Sequence, residues 1–202
     1  MTESIRSCTG FHEKGRALSL EYETLPLYHI LDNAAKRYGH HPAVVFGEST
    51  LTYSELLDQA ERIAGMLADM GVVPGDRVAV LLPNLPELIA TFWGILKAGA
   101  VAVLSNPLYT EQELRRNLED ADARILISHD HQWSKIKKLS GSLDFRAVFL
   151  VPQSEMSEPI PYDGKRLFPW DTLLSGTKRL SVPIADPQRD LALLQYTGGT
   201  TG

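Results

Sequence analysis

The most regular hydrophobic pattern of the chain lies between Thr52 and Met70. Apolar residues recur there at positions 53, 56, 57, 60, 63, 64 and 67, and this period of about 3.6 residues predicts a helix with one buried stripe. Thr52 and Glu55 have the spacing of a capping box, in which a hydroxyl and a carboxylate bond the free N–H groups of the first turn. Gly71 can take the left-handed conformation that ends a helix. The predicted helix therefore has a recognisable start and stop.

Short aliphatic runs alternate with further helical patterns through the middle of the chain. Four runs rich in valine, leucine and isoleucine are typical of strands buried on both faces of a parallel sheet: 78–82, 100–104, 124–128 and 146–151. The segments between them predict three helices: one after Asn84 and Glu87 in cap spacing, one after a second capping box at Thr110 and Glu113, and a short one at 133–139. This alternation predicts a three-layer α/β fold, with helices on both faces of a mostly parallel sheet joined by right-handed crossovers.

Two segments depart from this alternation. Residues 43–53 alternate around Gly47 and predict a hairpin, which a helix within 27–39 precedes. Residues 152–190 are rich in proline and predict a long surface connection with one helical turn near Trp170. Because 191–196 again predicts a buried strand, we expect a tail at 1–26 and a single, incomplete domain at 27–202.

Composition excludes several classes of protein. The 202 residues carry a net charge of −5 and no run of basic residues, which argues against a nucleic-acid partner. The first thirty residues have no apolar run of signal-peptide length, and Glu87 and Lys97 interrupt the longest apolar stretch, so we predict neither secretion nor a membrane span. Cys8 is the single cysteine and is interpreted as a free, non-catalytic thiol. A cytoplasmic location fits these features best.

Several side chains could have a functional role, but a structural role explains each of them more simply. His40–His41 and His129–His131 are paired, but no third ligand follows at a recognisable spacing, so we predict no metal ligand. Phe92 and Trp93 lie on an apolar helix and are expected to pack in the core. The basic cluster of Lys135, Lys137 and Lys138 is interpreted as a solvated helix face, with contact to an acidic membrane surface as the alternative.

The last predicted strand runs into a loop of glycines and threonines, Thr197–Gly202. Glycines let the backbone approach a polyphosphate closely with its N–H groups pointing inward, and threonine hydroxyls add donors. Ligands of open α/β sheets lie beyond the carboxyl ends of the strands, where this loop falls. An ordinary turn is the alternative, since the lysine of the Walker pattern is missing and no G-x-G-x-x-G motif occurs elsewhere.

The sequence YTGGTTG at 196–202 resembles the phosphate-loop signature of the AMP-forming adenylating enzymes, Tyr/Phe-Thr-Ser-Gly-Ser/Thr-Thr-Gly followed by x-P-K-G. Residues 51–128 are similar to the amino-terminal half of that family, and the resemblance extends over most of 27–202. Gly198 departs from the signature, because many relatives carry serine there. Gln195 together with Gly198, and the NPLYT stretch at 106–110, resemble fatty-acid–CoA ligases in particular.

This resemblance implies an enzyme that joins a carboxylic acid to AMP at the expense of ATP with Mg²⁺, and then passes the acyl group to coenzyme A. It implies that the phosphates are held by one loop: Thr197, Gly198, Gly199, Thr200, Thr201 and Gly202. The family's x-P-K-G stretch, magnesium-binding glutamate, ribose-binding aspartate and catalytic lysine would lie beyond Gly202, so no catalytic residue is assigned here. We therefore expect the 202-residue chain alone neither to adenylate an acid nor to bind ATP usefully.

A fatty acid is the first substrate that we expect, and a relative acting on an aryl acid or an amino acid is the second. A non-enzymatic binding module is a third reading. A reading frame that continues past Gly202 would favour an enzyme, whereas a stop codon would favour the module. We also expect the isolated chain to self-associate through exposed apolar surface, and peripheral membrane contact of the parent protein stays open.

Overall fold

Helices and strands alternate along the computed structural model, which describes residues 24–152, 160–178 and 185–196. The helices are α1 (His29–Tyr38), α2 (Tyr53–Asp69), α3 (Pro86–Lys97), α4 (Glu111–Asp120), α5 (Trp133–Leu139) and α6 (Asp171–Leu174). The strands are β1 (Pro42–Phe46), β2 (Ser49–Thr52), β3 (Arg77–Leu81), β4 (Val101–Leu104), β5 (Ile125–His129), β6 (Ala147–Val151), β7 (Leu167–Pro169) and β8 (Leu193–Gln195). The predicted helices, the hairpin and the four aliphatic strands are confirmed.

Six strands form the main sheet in the order β7-β6-β5-β3-β4-β8, and each neighbouring pair is parallel. Strands β1 and β2 form a separate antiparallel hairpin. A parallel pair requires a crossover between its strands, and α3, α4 and α5 supply those crossovers. The sheet therefore collects the carboxyl ends of β3, β4, β5 and β8 along one rim, which we call the carboxyl edge.

Successive residues of the central strands point to opposite faces of the sheet. Val78 and Val80 lie in a core with α2 and α3, whereas Ala79 and Leu81 lie in a second core with α4 and α5. These central strands are buried on both faces, which explains their continuous apolar composition. The predicted three-layer arrangement is thus confirmed, and Phe92 and Trp93 pack against the first core as expected.

Two of the three predicted helix caps are present. Thr52 and Glu55 form a complete capping box at α2, as do Thr110 and Glu113 at α4, and Gly71 has a φ of +80°. The third prediction is wrong, because the cap of α3 is Leu85 and no side chain bonds the first turn. Pro86 begins that helix instead, and its fixed φ and missing N–H reduce the need for a capping side chain.

The described part of the proline-rich connection contains more regular structure than the sequence predicts. Its helical turn near Trp170 is confirmed as α6, but β7 before it extends the sheet beside β6, and Trp170 and Leu173 are buried. A strand of three residues is too short to produce a periodic pattern. Pro169 is tolerated because β7 pairs only with β6 among the described residues, and an edge strand needs fewer N–H donors.

The prediction of a buried strand at 191–196 is wrong in one respect. The strand exists as β8, but Leu191 is 58% exposed and Leu193 is 38% exposed, because β8 pairs with β4 alone in the described part of the chain. An aliphatic run does not reveal which neighbours it will have. Across residues 24–152, 160–178 and 185–196, no helix combines the length and the apolar character that crossing a membrane requires.

Candidate nucleotide-binding site

Tyr196, the residue directly before the glycine- and threonine-rich loop, lies at the carboxyl edge of the sheet. Residues Thr197–Gly202 lie outside the described residues, but Tyr196, which directly precedes them, is described. Strand β8 runs parallel to β4, with Gln195 opposite Leu104, so the chain leaves the sheet on the side where the other strands end. The root of the loop is therefore at the edge where α/β sheets bind their ligands.

Tyr196 is held by two hydrogen bonds that the sequence did not predict. The Tyr109 hydroxyl donates to the Tyr196 carbonyl at 3.0 Å, and the Tyr196 hydroxyl donates to Asp120 Oδ2 at 2.5 Å. Burial, together with the hydrogen bond and negative charge of Asp120, raises the pKa of Tyr196 to about 12. The phenol is therefore protonated at neutral pH and keeps its donor role.

The loop that carries Tyr109 joins β4 to α4 and is itself tied down. Asn106 Oδ1 accepts from the Leu108 N–H at 2.9 Å, which is an Asx turn. Lys135 Nζ, on α5, donates to the Tyr109 carbonyl at 2.6 Å and to the Pro107 carbonyl at 3.3 Å. The predicted solvated face is thus wrong for Lys135, whose pKa is lowered by burial, although Lys137 and Lys138 are exposed.

Polar groups also gather where β5 ends. Gln132 Nε2 donates to the Pro107 carbonyl at 3.2 Å and lies 3.5 Å from His129 Nε2. Burial, with the neighbouring His131, lowers the pKa of His129, so its ring is neutral at pH 7. His129 Nδ1 and Ser105 Oγ are buried without a hydrogen-bond partner among the described residues. Side chains from two loops therefore lie together at the carboxyl edge.

The histidine pairs do not come together as a metal centre in the part of the chain described here. The rings of His129 and His131 are 5.6 Å apart, and no three histidine, cysteine, aspartate or glutamate side chains in residues 24–152, 160–178 and 185–196 are grouped so that they could hold an ion. Among the described residues, the part of the site that the structure defines is the hydrogen bonding around Tyr196.

Tyr109, Asp120 and Lys135 are the residues of this site that sequence reasoning missed. Each contacts the loop root, or the segment that holds it, across at least 26 residues of chain. Hydrophobic periodicity and caps report only on neighbours within about four residues. The NPLYT stretch contains Tyr109, but nothing in its pattern points to Tyr196.

Comparison with known proteins gives a consistent family. The profile described as "AMP-binding enzyme" matches residues 31–202. A long-chain-fatty-acid–CoA ligase of Bacillus subtilis is 34% identical over 197 residues, which cover 87% of this chain and 35% of that protein. Tyrocidine synthase 3 of Brevibacillus parabrevis is 30% identical over 200 residues, 99% of this chain and 3% of that protein. The chain thus spans about a third of the ligase and a small part of the synthase.

Solved structures have the same fold. The anthranilate CoA ligase AuaEII in complex with anthranoyl-AMP superposes with a TM-score of 0.78 at 23% identity, over 89% of this chain and 33% of that one. The apo structure of Mycobacterium smegmatis MbtA superposes with a TM-score of 0.76 at 31% identity, over 90% and 33% of the two chains. With the profile match over most of its length, the chain belongs to the AMP-binding enzyme family and corresponds to the amino-terminal part of that family's proteins.

Proposed function

We propose that this chain is the amino-terminal part of an ATP-dependent, AMP-forming acyl-CoA ligase whose substrate is a fatty acid. One observation supports the proposal: β8 runs parallel to β4, so Tyr196, the residue directly before 197–202, lies at the carboxyl edge of the sheet. The family supports the use of ATP. The similarity to the Bacillus subtilis fatty-acid–CoA ligase supports the choice of acid.

The proposed role of the loop is to stabilise the negative charge of the ATP phosphates. A carboxylate that attacks the α-phosphate of ATP meets like-charge repulsion and must displace pyrophosphate, so donors have to hold the β and γ oxygens. We assign that role to the N–H groups and hydroxyls of Thr197, Gly198, Gly199, Thr200, Thr201 and Gly202. Gly198 offers an N–H group but no hydroxyl. The proposal includes Mg²⁺ and coenzyme A, which the resemblance to the family implies, and assigns neither of them to a described residue.

The same proposal covers the organisation of the protein. Residues 27–202 would form one portion of an adenylation domain that a tail at 1–26 precedes, and the enzyme would act in the cytoplasm. An aryl acid or an amino acid is the second candidate substrate, and the similarity to tyrocidine synthase 3, which extends over 99% of the chain, favours the amino acid of these two. The described residues do not decide among the three acids.

Exchange of labelled pyrophosphate into ATP tests the function. The full-length protein of this reading frame would be supplied in turn with fatty acids of increasing chain length, with benzoic acids and with amino acids. We expect exchange that depends on a fatty acid, and thioester formation when coenzyme A is added. Exchange with benzoic acids or amino acids, and not with fatty acids, would favour the second candidate, and no exchange with any acid would favour a binding module.

The 202-residue chain provides a second arm of the experiment. We propose that it gives no exchange, because a phosphate loop without its flanking segments cannot hold its donors in a fixed array. Exchange by this chain at the rate of the full-length protein would contradict that expectation.

A further inference from the structure

The carbonyl of Tyr196 is the last backbone group before the proposed phosphate loop, and one side chain holds it. The pairing of β8 with β4 ends at Gln195, one residue earlier. The Tyr109 hydroxyl, 87 residues away in the sequence, donates to this carbonyl at 3.0 Å. A peptide unit is planar, with its C=O and the following N–H pointing in opposite directions. A contact that fixes this carbonyl therefore also fixes the direction of the first N–H group of the loop.

Tyr109 can fix the orientation of the Tyr196 carbonyl because both its ring and its backbone are held in place. Its ring is half-buried against the second core, where the Tyr196 ring also packs. Its carbonyl accepts from Lys135 Nζ at 2.6 Å, and the same ammonium group reaches the Pro107 carbonyl at 3.3 Å. A cation that bonds two carbonyls of one short loop restricts that loop more than either bond alone.

The residue after Tyr109 adds a further restraint. Thr110 is the N-cap of α4, and Glu113 closes its capping box at 2.8 Å. The backbone of Tyr109 is thus restrained on one side by the N-cap of α4 and on the other by the hydrogen bonds of Lys135. The second bond of the root, from the Tyr196 hydroxyl to Asp120, fixes the ring but not the carbonyl.

We infer that Tyr109 is a positioning residue for the nucleotide phosphates: its hydroxyl sets the orientation of the peptide unit that opens the loop, and Lys135 acts through Tyr109. The inference rests on the proposed function, because it assigns to Tyr109 the alignment of donors for ATP. A tyrosine that merely fills space would make the same ring contacts without needing its hydroxyl.

Removing the Tyr109 hydroxyl distinguishes a positioning role from a space-filling one. In the full-length protein, Tyr109→Phe keeps the ring and deletes the donor, and Tyr38→Phe on α1 is the matched control at a tyrosine that is 51% exposed. We expect Tyr109→Phe to lower kcat/KM for MgATP about three- to tenfold, as the loss of one hydrogen bond predicts. The KM for the acid should stay within about twofold of the wild-type value, since the contact concerns only the loop. Tyr38→Phe should leave both parameters unchanged.

A double-mutant cycle tests the part assigned to Lys135. Lys135→Met should weaken the use of MgATP in the wild-type background and have little further effect in Tyr109→Phe, because Lys135 bonds the Tyr109 and Pro107 carbonyls and reaches the Tyr196 carbonyl only through the Tyr109 hydroxyl. Full additivity of the two effects would overturn the claim that Lys135 acts through Tyr109.

Hydrogen exchange provides a readout that does not depend on activity. In the nucleotide-free full-length protein, Tyr109→Phe should speed amide exchange in a peptide covering Tyr196–Gly199 and leave peptides from β3 and β5 unchanged. Wild-type kinetics together with wild-type exchange in Tyr109→Phe would overturn the inference, as would a uniform loss of protection across the sheet. If the wild-type enzyme shows no pyrophosphate exchange at all, the proposed function fails, and amide exchange alone decides the role of Tyr109.

Discussion

Lys97 is a buried cation on which three helices converge. Its side chain, on α3, is 3% exposed, and its Nζ donates to Asp32 Oδ1 on α1 at 2.5 Å. Glu61 on α2 lies 3.9 Å from the same ammonium group. Burial raises the pKa of Glu61, and Lys97 opposes that rise. Such a pair adds little stability relative to apolar residues, but breaking it leaves a desolvated charge.

We therefore expect Asp32→Ala to lower the free energy of unfolding by about 2 kcal/mol, somewhat less than for a fully buried pair because Glu61 still faces Lys97. Urea denaturation would measure the change. The control is Asp144→Ala, which removes an exposed ion pair with Arg166 in which Asp144 is 78% exposed, and which should cost less than about 1 kcal/mol. Equal losses in the two variants would contradict the importance of burial.

Asp163 has an acidity that its surroundings explain. Its Oδ1 accepts the backbone N–H groups of Lys165, Arg166 and Leu167 at 2.8 to 2.9 Å, and these bonds lower its pKa from 3.8 to about 2. Because the folded pKa lies below the unfolded one, the carboxylate stabilises the fold above pH 3.8 and loses that effect as the pH falls toward 2. A carboxyl NMR titration should show the low pKa, and Asp163→Asn should remove this part of the acid sensitivity. A titration near pH 4 would refute the assignment.

At the scale of elements, close backbone packing explains two glycines. A Cβ on Gly65 of α2 would lie 1.8 Å from the Thr177 carbonyl oxygen, and one on Gly176 would lie 2.3 Å from the Arg62 carbonyl oxygen. Helix α2 and the turn after α6 therefore touch backbone to backbone. A larger residue at either position has to separate them.

Gly65→Ala should destabilise the protein by about 2 kcal/mol, because overpacking outweighs the helix preference of alanine. Thermal unfolding of the purified protein would measure the loss. Gly141→Ala is the control, since the nearest atom to its added Cβ, the Lys138 carbonyl oxygen, is 3.4 Å away. An unchanged melting temperature in Gly65→Ala would mean that α2 and α6 can shift apart at little cost.

The elements that the sequence predicts correctly are those whose signals are local. A capping box joins two residues that are three positions apart, and the apolar stripe of a helix recurs every three or four residues. The positions of α2 and α4 could therefore be predicted from their own sequences. The contacts Lys97–Asp32 and Tyr109–Tyr196 span 65 and 87 residues. No local pattern encodes them, and the pairing of β7 with β6 was missed for the same reason.

At the scale of the whole molecule, apolar surface collects beside β8. Leu25, Leu27 and Leu191 are exposed and line a cavity of about 840 Å³ between the segment before α1 and residues 185–192. Leu193 is exposed on the strand itself, which pairs on one side only in the described part of the chain. An open edge with apolar side chains is a template for pairing with another chain.

We expect the 202-residue chain to self-associate through this edge, which light scattering over a range of concentrations would detect. Leu193→Lys should reduce the association, because a lysine on an edge strand opposes pairing. Val73→Lys changes an apolar residue that is 56% exposed in the turn before β3 and should leave the association unchanged. A monomer at every concentration would exclude the idea.

The order of the strands has a consequence for the protein during its synthesis. Of the six strands in the main sheet, β3 is made first, and β4, β5, β6, β7 and β8 each then pair with an outer strand of the sheet already formed. No strand has to be inserted between two earlier ones, so the sheet can grow as the polypeptide leaves the ribosome. Strand β8 docks after all the others, on a surface where Tyr109 and Asp120 are already in place. Tyr196, the residue directly before the proposed phosphate loop, therefore reaches its position only after the strands and side chains that hold it have formed.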